Sequence, residues 1–114
     1  MFEKYGGFST CRKIVSAFYD QMLDSPVLSH HFVGIDMARL IDHQTKFVTF
    51  IMGGPAHVSD EHLAKAHRPL RISGAEFTEM TEILRDALED HDLEPEDVAF
   101  IIQEVRKRSH LIVY

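Results

Sequence analysis

Apolar residues in this chain recur at three- and four-residue intervals in four separate blocks, the spacing of one helix face, and no segment sustains the alternation of a strand. The clearest block follows Asp36, a residue type suited to capping. Met37, Leu40, Ile41, Gln44, Phe47, Val48 and Ile51 then share a face until Gly53, Gly54 and Pro55 end it. An earlier block, with Ser9 or Thr10 as its cap, carries Cys11, Val15, Phe18, Tyr19 and Met22. Ser25 and Pro26 read as the cap and first position of a short helical turn towards Phe32. Ser59 and Asp60 can cap another short helix, containing Leu63, Ala64 and His67, which Pro69 limits. Ser73 and Glu76 have capping-box spacing ahead of Phe77, Met80, Leu84, Ala87 and Leu88. Pro95 opens the fourth block, whose face holds Val98, Ile101, Ile102, Val105 and Ile112. The expectation is one all-α domain over residues 1–114.

Composition narrows the function. An apolar fraction of 45% is too high for a disordered chain, and no apolar run approaches the ~20 residues of a membrane span. Eighteen acidic against twelve basic residues give a net charge of -6, the wrong sign for a nucleic-acid module. A single cysteine excludes a disulfide framework and a cysteine-cluster zinc site. The opening Met1-Phe2-Glu3-Lys4 lacks the profile of a secretion signal, so a cytoplasmic monomer without membrane or nucleic-acid partners is expected. Histidine stands out, with eight copies, and is both the commonest metal ligand and the side chain that titrates near neutrality.

Two apolar stripes are each interrupted once by a polar group. Gln44 sits a turn from Leu40, Ile41, Phe47 and Val48, and Tyr19 lies between Val15 and Met22. A buried amide without a partner costs about 1–3 kcal/mol. Either the two residues bond each other or the backbone, or both point into a pocket where their donors meet a small polar ligand. Among the histidines, His57, His62 and His67 recur every five residues, about 140° apart on a helix, so they cannot share a face. That spacing does not fit a zinc pair at i, i+4. His30 and His31 read as surface residues, and His91 as a helix-end residue. His67 follows Ala64 and Ala66, small residues that let a large group approach, and it is the one candidate ligand.

Taken together, Tyr5-Gly6-Gly7, Phe18-Tyr19, the run from Phe32 to Met37, His43-Gln44, Gly53-Gly54-Pro55 and Ala66-His67 resemble the truncated haemoglobins, most of all their group I. The resemblance covers nearly the whole chain and implies a two-over-two helical sandwich around haem b. It implies His67 as the proximal iron ligand, its other ring nitrogen held by a backbone carbonyl or similar acceptor. Phe32 would lie against the porphyrin, and Tyr19 and Gln44 would be the distal donors. Leu40, Phe47, Val48, Leu63, Phe77, Met80 and Leu84 would supply apolar walls. His43 stands where many members carry Lys or Arg reaching a haem propionate, and where some carry a histidine that becomes a sixth iron ligand; both roles are open. Lys46, Lys65, Arg68 and Arg71 are further propionate candidates, and His110 lies near where some relatives attach haem covalently. Pro69 departs from the glycine common after the proximal histidine.

The function implied is reversible binding of oxygen, nitric oxide and carbon monoxide, with oxygen transport or conversion of nitric oxide to nitrate as uses. The conversion would need a separate reductase, because the chain carries no flavin or nicotinamide motif. Two other readings compete: a bis-histidyl haem redox protein acting on nitrogen oxides or peroxide, and a cofactor-free helical interaction module.

Overall fold

Side-chain caps set some of the helix starts. The computed structural model describes residues 1–113. Its main helices are α1 (Phe8–Asp24), α2 (Met37–Ile51), α3 (Asp60–His67), α4 (Gly74–Asp90), α5 (Pro95–Lys107) and the single turn α6 (Ser109–Ile112). Short 3-10 turns occur at Glu3–Tyr5, Ser29–Phe32 and Arg68–Leu70. Asp36 accepts the Arg39 N–H at 3.2 Å at the start of α2, and Ser59 accepts the His62 N–H at 3.1 Å at the start of α3. The capping box of α4 is complete: Glu76 N–H donates to Ser73 Oγ at 3.1 Å, and Ser73 N–H to Glu76 Oε1 at 2.9 Å. Pro95 occupies the first turn of α5, where its missing N–H costs nothing.

Two local expectations are corrected. Neither Ser9 nor Thr10 caps α1; the cap position is Gly7, and the Thr10 hydroxyl instead donates to the Tyr5 carbonyl. Ser25, by contrast, both closes α1, its N–H bonded to the Met22 carbonyl at 3.2 Å, and opens the expected turn, its own carbonyl accepting the Ser29 N–H at 2.9 Å. Ile112 lies on α6, not α5. The Arg108 guanidinium donates to the Glu104 carbonyl at 2.8 Å, the acceptor that a continuing helix would use. Arg108 N–H turns to Val105 O, and α6 begins at the next residue.

α1 packs along α2 and α4 along α5, and α1 also meets α4, so two helix pairs lie one over the other. α3 leans on α6, and an isolated bridge joins Ile72 to Val113. Ile14, Met22, Leu28, Leu88, Ile101 and Ile102 are fully buried between the layers. The expected all-α two-over-two sandwich is the observed one. No helix among the described residues is long and apolar enough to cross a membrane.

The N-terminal segment is tied down at both ends. Phe2 N–H donates to Met52 O at 3.0 Å, and the Tyr5 hydroxyl bonds the Asp97 carboxylate at the start of α5. Where α2 ends, Gly53 turns the chain with φ +84°, and Gly54 passes so close to Phe2 and Thr49 that a Cβ would stand 2.6 Å from each.

Candidate functional site

His67 is the last residue of α3. Pro69, two positions on, carries no N–H and stops the α-helix, so the chain passes into the Arg68–Leu70 turn. One turn back, the Leu63 carbonyl lies 2.8 Å from His67 Nδ1. A carbonyl can only accept, so Nδ1 carries the proton, and Nε2 keeps its lone pair in the neutral ring. Burial holds the ring's pKa below its ordinary 6.5, against a smaller opposing effect of the Leu63 bond. The imidazole is therefore neutral at pH 7 and fixed in the tautomer that leaves Nε2 free to ligate.

Three cavities of about 660, 650 and 980 Å³, counting space open to solvent, share His67 and Gln44 in their walls. The first runs between the helix pairs and is walled by Phe47, Val48, Phe77, Met80 and Leu84, with Val15 and Ile101 deeper in. The second lies under the Ser29–Phe32 turn, between Phe32, Leu40, Ala66 and Leu70. The third opens towards solvent past His43, Lys46, His57, His62 and Leu63.

Tyr19 borders the first two cavities. Its ring is held edge-on by Phe18 at 4.9 Å and Phe32 at 5.7 Å. It is buried, its hydroxyl makes no hydrogen bond to a described residue, and burial alone raises its pKa, so it stays a donor. Gln44 borders the same two cavities, and its amide likewise has no partner among the described residues. Of the two readings left open for this pair, mutual or backbone hydrogen bonding is not what the structure has. Both polar groups line largely apolar space beside His67.

Every wall residue expected from the sequence borders one of the three cavities. His43 is exposed on the neighbouring face of α2, borders only the third cavity, and stands edge-on to His62 at 6.4 Å. Lys46 borders that cavity too, whereas Lys65, Arg68, Arg71 and His110 are exposed and border none of them. Sequence reasoning missed Val15, Ile101 and Val105, whose apolar spacing was read only as core. It also misjudged His31, which is largely buried, borders the second cavity and bonds Glu76 at 2.6 Å. Its partner lies 45 positions along the chain, beyond the reach of any local signal.

Such a set fits a haem: one free imidazole nitrogen, apolar walls on several sides, and two unsatisfied donors. The profile of the bacterial-like globin family matches residues 1–113. A group 1 truncated haemoglobin of Tetrahymena pyriformis is 28% identical over 110 residues, covering 94% of this chain and 91% of that one. Another, from Synechocystis, is 29% identical over 102 residues, covering 86% and 82%. Among solved structures, the Fe(III) form of the T. pyriformis truncated haemoglobin superposes with a TM-score of 0.81 at 26% identity, covering 99% and 97% of the two chains. The haemoglobin of Chloroflexus aurantiacus superposes at 0.83, also at 26% identity, covering 99% and 96%. The chain therefore belongs to the bacterial-like globin family, a haem-binding globin that resembles the group 1 truncated haemoglobins in sequence and in fold.

Proposed function

We propose that this globin holds haem b through His67 and reversibly binds oxygen and other diatomic gases beneath Tyr19 and Gln44. The supporting observation is that two donors without partners among the described residues line the same cavities as an imidazole whose Nε2 is free. Bound haem supplies an iron that takes up oxygen, nitric oxide or carbon monoxide. The chain's own residues do the rest. Leu63 O holds the His67 ring in its ligating tautomer and raises its basicity. Phe32, Leu40, Phe47, Val48, Leu63, Phe77, Met80 and Leu84 exclude water. The Tyr19 hydroxyl and Gln44 amide donate to the polar end of a small ligand. His43, with Lys46, sits at the solvent side, where a haem propionate would emerge.

Oxygen transport and conversion of nitric oxide to nitrate are the two uses this chemistry supports, the second with a separate reductase. We take the protein to be a cytoplasmic monomer. Absorption spectra of the purified protein, oxidised, reduced and under carbon monoxide, test the reading. A haem spectrum that responds to carbon monoxide is expected. A colourless protein that takes up no added haemin overturns it in favour of an interaction module.

A second reading has a specific observation behind it: His43 and His67 border the same cavity, and His43 is exposed. If His43 becomes the sixth ligand, the ferrous, gas-free protein has sharp, split visible bands. A single broad band rejects it and the redox role it would serve.

A further inference from the structure

The Ser29–Phe32 turn and the first turn of α4 bring together three metal-ligating side chains that the haem site does not use. His31 Nε2 lies 2.6 Å from Glu76 Oε2, and His30 Nε2 lies 3.7 Å from the same oxygen. The two imidazole rings stand side by side, centroids 4.0 Å apart and tilted by 37°. One ligand atom from each residue falls within 4.8 Å of the other two.

Glu76 is held in this role by the capping box. Its Oε1 accepts the Ser73 N–H at 2.9 Å, which turns Oε2 towards both histidines. Exposure is graded across the cluster: the side chains of His31 and Glu76 are 9% and 15% exposed, and that of His30 is 62% exposed. An inner pair is thus built into the fold, and an outer arm can close over an arriving ion.

We propose that His30, His31 and Glu76 form a binding site for a divalent transition-metal ion of the Zn²⁺ class. Tetrahedral zinc with ligands at about 2.0–2.2 Å spaces its donor atoms roughly 3.4 Å apart. The two separations from Glu76 Oε2, 2.6 and 3.7 Å, bracket that value, so small side-chain rotations suffice. Two imidazoles and one carboxylate suit zinc, nickel or copper rather than magnesium or calcium, which prefer all-oxygen shells. The fourth position falls to water. The site adjoins the second cavity, which His31 also borders, but does not rest on the assignment at His67. The ion would brace the turn that carries Phe32 against α4.

Isothermal titration of Zn²⁺ into the full chain as purified tests the site, with His30→Ala and Glu76→Gln alongside. His30 is exposed, so its truncation leaves the fold intact, and the glutamine carbonyl can still accept the Ser73 N–H. Loss of a partner that merely orients a ligand weakens metal binding about 10–100-fold, and loss of a ligand weakens it at least as much. We expect one zinc ion per chain in the parent and at least about tenfold weaker binding in each variant. No heat of zinc binding in the parent, or less than that weakening in either variant, overturns the proposal.

Discussion

Tyr19 and Gln44, from α1 and α2, border the same two cavities yet bond neither each other nor any other described residue. Their donors are in place before any gas arrives, so the protein need not reorganise them. Hydrogen bonds involving charged groups are worth about 1.5–3 kcal/mol. Tyr19→Phe and Gln44→Leu are each expected to speed oxygen dissociation roughly 10–150-fold, read by stopped-flow displacement. Because the Tyr19 hydroxyl has no partner to lose among the described residues, Tyr19→Phe should also leave the unfolding free energy of the haem-free chain within about 1 kcal/mol of the parent. Unchanged dissociation, or a strongly destabilised chain, would mean that the hydroxyl serves the fold.

A second prediction concerns the end of α2. A methyl group at position 54 would meet Phe2 Cδ1 and Thr49 Cγ2 at 2.6 Å, well inside contact distance. Both neighbours are confined, Phe2 by its edge-on packing against Phe8 at 5.0 Å and Thr49 by complete burial. Gly54→Ala should therefore cost about 1–3 kcal/mol in urea unfolding, the usual toll of overpacking. In a Phe2→Ala background the cost should shrink, because one of the two obstacles is gone.

Acid unfolding gives a third. Asp97 is held below its ordinary 3.8 first by the Tyr5 hydroxyl and then by the Lys4 ammonium. Between its native pKa and about 3.8 the folded chain binds fewer protons than the unfolded one, so stability rises with pH there. This contribution is fully present above that window and is lost as pH falls through the native value. Tyr5→Phe should make stability fall less steeply below pH 3.8 in a series of urea titrations. An identical slope would mean that the hydroxyl does not hold the carboxylate ionised.

The helices and their caps were legible because their signals are local. Asp36, Ser59 and the Ser73–Glu76 pair each act within one turn, and three- and four-residue spacing marks the buried faces. Gln44 was legible as an intrusion, since a polar group in an apolar stripe needs a partner or an opening. What it could not reveal was which of the two applied, because that depends on Tyr19 lying across a helix contact. His31 failed for the same reason: a turn residue next to another histidine reads as surface until α4 delivers Glu76 to it. The break between α5 and α6 also escaped, because Arg108 capping its own helix leaves no mark on apolar periodicity.

The central claim is that His67 is the residue through which haem iron is held. Haemin titration of His67→Gly, with and without added imidazole, tests it most directly. Weakened haem uptake and an altered spectrum are expected, with imidazole entering the vacated space and restoring the parent's spectrum. A His67→Gly protein that takes up haemin as tightly as the parent, with the same spectrum and no imidazole present, would contradict it.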